Sequence, residues 1–116
     1  DLAADALFKA GLAYHKQARE AEYDQNAAAL AIATFTDFIT LFPNDERVAE
    51  AQELISGLRY EQARGSFEIA KFYEKNKKFD GALIYYSEVL LKDPGSSMAI
   101  LSRLRIDEIK RRTSEQ

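Results

Sequence analysis

Apolar residues along this chain recur at steps of three and four. Ala28, Ala31, Phe35, Phe38 and Phe42 fall on one face of an α-helix, and Ala82, Tyr86 and Val89 repeat that stripe in the second half. Val48, Ala51, Ile55 and Leu58 form another, and Leu7, Ala10, Gly11, Tyr14 and Ala18 a fourth. No stretch of five or more residues alternates apolar with polar between Gly or Asn turns, so no strand is predicted. The pattern is all-α.

Pro43 and Pro94 punctuate it in similar settings, ITLFPNDER and VLLKDPGSS. A proline cannot continue the helical hydrogen-bond ladder and disfavours helix in the residue before it, so helices should stop near Phe42 and Lys92. Asn44 or Asp45 offers a cap to the next helix, Asp80 to GALIYYSEVLL, and Ser96 or Ser97 to MAILSRL, since each side-chain oxygen can accept an unpaired first-turn amide. The predicted helices are 2–20, 26–42, 46–76, 80–92 and 96–112. Between Pro43 and Ala82 the weak points are Gly57 and Gly65, each costing about 1 kcal/mol in a helix interior. With no turn cluster near residues 60–65, one helix of roughly 31 residues, about 45 Å long, is the simpler expectation.

The chain also repeats itself. Ala31-x3-Phe35-x2-Phe38-x4-Pro43 recurs as Ala82-x3-Tyr86-x2-Val89-x4-Pro94, each member displaced by 51 residues. Ala70 and Tyr73 stand upstream of the second copy, and Gly11 and Tyr14 take those roles in the first. This is the small-aromatic-proline arrangement of a tetratricopeptide unit, lengthened beyond its usual period of about 34 residues. A small residue lets two antiparallel helices approach, and the aromatic one turn on fills the wedge between them. The expected fold is a tetratricopeptide-like helical-repeat solenoid of about five antiparallel helices, one of them long. Its single domain would span 1–116, with units of about 2–43 and 46–94 and a terminal helix at 96–112.

The run GLAYHKQAREAEYDQNAAALAIATFTDFITLFPND, followed by VAEAQELISGLRYEQARGSFEIAKFYEKNKKFDGALIYYSEVLLKDP, resembles the C-terminal repeats of the outer-membrane β-barrel assembly lipoprotein family, BamD-like or ComL-like. The resemblance is carried by the Gly11-Leu12 helix, the Asp24-Gln25 pair ahead of an AxxxF helix, the long helix into IAKFYEK, and the ALIYYSEVLL helix closed by Pro94. It covers roughly residues 6 to 105. Two positions depart from the family pattern: Ser66 stands where an acidic residue is usual, and Tyr85 where an arginine is common. The resemblance implies a component of outer-membrane protein assembly on the periplasmic face. Its implied partners are the periplasmic domains of the barrel-assembly protein and accessory lipoproteins, and its implied membrane association is through a lipid anchor that this sequence does not contain.

Composition narrows the chemistry. The 116 residues include no Cys, which excludes disulfide scaffolds and Cys-based metal sites. The Ala27–Ala33 run is far short of the roughly 18 apolar residues of a spanning helix. The sequence opens at Asp1 without an initiator Met, a basic n-region or an apolar h-region, so a mature form or an excised piece is expected. His15 is the only histidine, and its spacing from Asp5 and Phe8 suggests a solvated helical face. Asp45, Glu46, Glu50 and Glu53 are read as acids favoured by a helix N-terminus and then as an exposed face. No phosphate loop, GxSxG elbow or HExxH helix occurs. No catalytic residue, metal or cofactor is expected, and no nucleic-acid partner.

Charge is divided along the chain: residues 1–58 hold four basic and ten acidic residues, net −6, and residues 59–116 hold twelve and nine, net +3. Cations near helix C-termini favour the helix dipole and solubility, which explains most of this pattern, and a contact with an acidic partner surface or with headgroups is the functional reading of the basic half. In a solenoid the first helix of each pair lines the concave face. Helical steps from the repeat register place Asp5, Phe8, Leu12 and His15 there in the first unit and Arg64, Phe67, Lys71 and Glu74 in the second. Phe8, Leu12 and Phe67 are candidate apolar anchors for a partner segment. The function expected is a non-enzymatic protein–protein interaction scaffold. The alternative is a general tetratricopeptide adaptor or chaperone-like module, cytoplasmic in that case, holding an extended peptide in its groove.

Overall fold

The computed structural model describes residues 1–20 and 24–115. Five helices follow one another: α1 (Leu2–Glu20), α2 (Gln25–Leu41), α3 (Val48–Lys75), α4 (Phe79–Lys92) and α5 (Ser97–Ser114), with no strand among the described residues. α3 is one uninterrupted helix of 28 residues, as expected, about 42 Å long at 1.5 Å per residue.

The caps agree with the sequence at some ends and differ at others. Asp24 caps α2, its Oδ1 accepting from the amides of Asn26 at 2.9 Å and Ala27 at 3.1 Å. The Ser96 hydroxyl oxygen accepts from the Ala99 amide at 3.1 Å and starts α5. α4, however, begins at Phe79, so Asp80 lies inside its first turn, and the N-cap Lys78 makes no side-chain cap bond. Asp80 there acts through charge, facing the positive end of the helix dipole. α3 begins at Val48, two residues later than predicted: Asp45 accepts from the Arg47 amide as a cap would, but the Val48 amide donates to the Asp45 carbonyl in a tighter turn before the helix proper.

Two compact units divide the chain, Asp1–Leu58 and Arg59–Gln116, so α3 contributes its first part to one and the remainder to the other. In the first unit α1 and α2 run antiparallel. The Asp24 amide donates to the Ala18 carbonyl at one end, while Phe8 packs on Phe35 and Phe38 at the other. Gly11 sits where the helices are closest: a Cβ there would lie 2.5 Å from the Phe35 ring. Ala51, Ile55 and Leu58 of α3 close this core. In the second unit Ala70, Ala82, Tyr86, Ile106 and Ile109 form one buried cluster and Ala63, Val89, Met98 and Ala99 another. Phe67 and Leu90 pack against both.

The 51-residue displacement has a direct counterpart in burial. Ala31 and Ala82, Phe35 and Tyr86, and Phe38 and Val89 are all buried. The correspondence continues into the third helix, where Ala51, Ile55 and Leu58 match Ser102, Ile106 and Ile109, again all buried. Each unit is therefore three helices with the same apolar register. Its centre is also the same: Phe8 meets Phe35 edge-on at 5.8 Å and 61°, and Phe67 meets Tyr86 at 5.9 Å and 65°. Such pairs contribute about 0.5–1.5 kcal/mol beyond the area they bury.

Candidate functional site

Within the second unit, α3, α4 and α5 leave a cleft of about 380 Å³ lined by Phe67, Lys71, Glu74, Lys75, Tyr86, Leu101 and Arg105. Phe67, Lys71 and Glu74 are three of the four second-unit residues that the repeat register points to. The fourth, Arg64, is exposed and pairs with Glu61 at 3.1 Å. Glu74 organises the cleft. Its Oε1 accepts from the Tyr86 hydroxyl at 2.7 Å and from Arg105 Nε at 3.2 Å, and its Oε2 accepts from Arg105 Nη2. The Arg105 hydrogen bonds hold the Glu74 carboxyl below the usual carboxylate range, against the opposing effect of burial. Burial, then the bond to Glu74, pushes the Tyr86 phenol up, so it remains a neutral donor.

The cleft is cationic and apolar at once. Lys71 Nζ lies 5.2 Å from the Phe67 ring centre and 3.3 Å from Glu68. With Arg105 neutralising Glu74, Lys71 and Lys75 set the sign of the rim. Leu101 is 49% exposed, and on the same helix Ile100 and Leu104 are 64% and 59% exposed. α5 thus buries one face through Met98, Ala99, Ser102, Ile106 and Ile109 and presents a second apolar strip to solvent.

The first-unit candidates are placed differently. Phe8 is 5% exposed, held between Phe35 and Phe38 with the Arg47 guanidinium 5.1 Å from its ring centre, so it serves the core and no partner can reach it. Leu12 is 36% exposed. His15 is half-buried rather than fully solvated, and burial, with the nearby Arg19 charge, lowers its pKa. Asp5 is engaged by Arg47 Nη1 at 2.8 Å. Arg47 also binds Asp45, whose pKa falls to about 2 chiefly through that hydrogen bond. One guanidinium therefore ties the α2–α3 turn to α1.

Arg105, Lys75 and Leu101 were not among the expected residues. The signal for Arg105 lies in the repeat itself: carried through the third helix, the 51-residue displacement pairs it with Leu54, so a cation stands at a position apolar in the first unit. The two departures from the family pattern are also explained. Ser66, buried, donates to Glu88 Oε2 at 3.1 Å and accepts from Lys92 Nζ at 2.9 Å. Tyr85 stacks on Tyr73 at 5.6 Å and 15°.

Among the described residues no group of three or more His, Cys, Asp or Glu is placed to hold a metal ion, and no helix is long and apolar enough to cross a membrane. Five helices in which the small-aromatic-proline arrangement recurs make this a tetratricopeptide-like helical-repeat protein. The pattern of the outer membrane lipoprotein family YfiO matches residues 3–113, and the chain belongs to that family. No individual curated protein matches it.

Proposed function

We propose that the chain is a non-enzymatic docking scaffold of the outer-membrane β-barrel assembly machinery, acting at the periplasmic face of the outer membrane. Its partners on this reading are the periplasmic domains of the barrel-assembly protein and accessory lipoproteins. It does so as one repeat domain, in which two-helix signature repeats of about 2–43 and 46–94 and a closing helix at 96–112 underlie the two compact units. Family membership supports the setting. The observation that carries the docking role is the exposed Ile100, Leu101 and Leu104 strip at the lip of a cleft whose carboxylate is already paired. An apolar centre with a polar rim is what a protein interface needs. Phe67, Lys71 and Glu74 are the cleft residues a partner would meet, with Leu12 and His15 as candidates on the first unit.

The test is affinity capture of the full-length protein from its native membrane, followed by mass spectrometry. The unmodified protein should bring down barrel-assembly components. Leu101→Asp with Leu104→Asp should cut that recovery at least tenfold, since loss of an interface anchor costs about 2 kcal/mol or more. Both side chains are exposed, so the fold should survive. Unchanged recovery by the variant would remove the docking role from α5, and an absence of assembly components would overturn the reading as a whole. A second reading, capture of an extended acidic peptide, is supported by the grouping of Lys71 and Lys75 on the rim of the cleft. It predicts chemical-shift changes at Phe67 and Leu101 on adding free peptide, which a scaffold for folded partners would not give.

A further inference from the structure

We propose that one end of the second unit, formed by the close of α3, the turn into α4 and the close of α5, is a docking surface for an anionic phospholipid bilayer. Two basic runs far apart in sequence meet there. Lys77 and Lys78 border a shallow cleft of about 400 Å³ together with Thr113 of α5, and the Arg112 guanidinium lies 5.9 Å from the Phe79 ring centre. Lys75 closes α3 beside them, and Lys110 lies one turn before Thr113, whose hydroxyl is 3.3 Å from its carbonyl oxygen.

The charge balance at this end is specific. Its six cations, Lys75, Lys77, Lys78, Lys110, Arg111 and Arg112, are all exposed. Its acids are Asp80, Asp107, Glu108 and Glu115, and Arg111 binds the last two at 2.7 and 3.0 Å. Six cations against four carboxylates leave +2, of the +3 that residues 59–116 carry as a whole with twelve basic and nine acidic residues. Most of the excess of the unit is therefore gathered at one end. Among the described residues no carboxylate lies within ion-pair distance of Lys75, Lys77, Lys78, Lys110 or Arg112.

Backbone geometry adds a second observation. Lys77 has φ 59°, the left-handed position that ends α3, with its amide donating to Glu74 and that of Lys78 to Tyr73. Glycine fits this position without penalty, whereas a residue with a Cβ costs about 1 kcal/mol or more. A cation stands at the rim at that cost.

A bilayer fits this surface better than a protein does. A protein interface needs a desolvated apolar centre. The large apolar side chains here are Phe79, half-buried with Arg112 over its ring, and the exposed Phe72 one turn before Lys75, which packs on Tyr73; neither makes a desolvated apolar centre. An anionic surface needs no shape match, and each nearby Lys or Arg adds its own attraction. The chain belongs to a family of outer membrane lipoproteins, so headgroups are the anionic surface at hand. The inference rests on that membership and not on the α5 strip, so its failure would leave the scaffold reading standing.

The 116-residue chain, without lipid modification, is sedimented with vesicles of phosphatidylcholine alone and with vesicles that also contain phosphatidylglycerol. Binding should require phosphatidylglycerol and weaken as salt rises. Each neutralised cation should lower the partition coefficient about fivefold, so Lys77→Gln with Lys78→Gln should lower it roughly 25-fold. Lys110→Gln with Arg112→Gln should do the same from the other run. Arg59→Gln with Arg103→Gln removes the same net charge elsewhere and should change it less than about twofold. Circular dichroism confirms that each variant is folded, and the two independent pairs keep the test decisive if one is not. Equal binding to neutral vesicles overturns the proposal, and so does an equal loss in the Arg59 and Arg103 pair. Tighter binding to polyglutamate than to the vesicles at the same salt also overturns it, in favour of an acidic protein.

Discussion

One substitution made at two glycines of the first unit should have opposite effects. Gly11 lies in α1 and Gly57 in α3, and alanine gains about 1 kcal/mol of helix propensity over glycine at either place. At Gly57 a new Cβ meets nothing within 4 Å, so Gly57→Ala should realise that gain. At Gly11 the Cβ would fall 2.5, 2.7 and 2.8 Å from three ring carbons of Phe35. Ordinary contact between carbons begins near 3.5 Å, so the ring would have to move by about 1 Å. Phe35 has no exposed surface, and Phe8 packs edge-on against it. The clash therefore belongs at the upper end of the roughly 1–3 kcal/mol that overpacking costs. Subtracting the propensity gain leaves Gly11→Ala about 2 kcal/mol less stable than the parent. Urea unfolding followed by circular dichroism measures both, with an unchanged slope showing that stability and not compactness has moved. A Gly11→Ala protein as stable as Gly57→Ala would refute the close approach of α1 to α2 and the reading of Gly11 as a repeat-signature position.

Other expectations follow from the same packing. Ser102 Oγ is buried with no partner, and its counterpart in the first unit is Ala51, so Ser102→Ala should be neutral or stabilising by up to about 1 kcal/mol in the same urea assay, where a loss of more than that would reveal a partner. Acid should weaken the chain. Because Asp45 and Glu74 have lowered pKa values, their contributions are fully present above the unfolded carboxylate range and are lost as pH falls through the folded values, for Asp45 between about 4 and about 2. Glu74→Gln should remove the Glu74 share of that slope and destabilise by about 1–2 kcal/mol, with Arg105 left facing a neutral amide; an unaltered acid slope would argue against the Glu74–Arg105 pair. His15, also lowered, favours the fold above pH 6.5 and should titrate below that value by NMR.

The helices and their order were legible because apolar spacing and two prolines carry that information locally. The stripe Ala31, Phe35, Phe38 is buried as its period requires, and both proline stops fall at helix ends. Helix starts were less legible, since a capping side chain does not by itself fix where the helical ladder begins: Asp45 accepts from the Arg47 amide, yet a tighter turn to Val48 precedes α3. The candidate site was half legible. Register alone places Phe67, Lys71 and Glu74 on the cleft, but the same register points to Phe8, which the first unit uses as core. The difference lies in the third helix, where Leu54 lies against the first core and Arg105 instead reaches Glu74. Which of two equivalent positions is free depends on its neighbours across the unit, and a single helical stripe does not contain them.

That comparison also bears on what the charge is for. The two compact units divide between Leu58 and Arg59, where the chain changes from net −6 to net +3. Their buried positions match along two helices, so the same apolar register supports opposite surface charge, and folding does not require either sign. Most ion pairs of the second unit join residues three or four apart on one helix, which contribute only about 0.3–0.5 kcal/mol each. Charge that packing does not need, gathered at one end and left without partners, is available for an external surface. Packing accounts for the alanines and aromatics of each unit, and the helix dipole favours Lys75 and Arg112 in the last turns of α3 and α5, but neither gives a reason for Lys77, Lys78 and Lys110 to join them; an anionic surface against that end does.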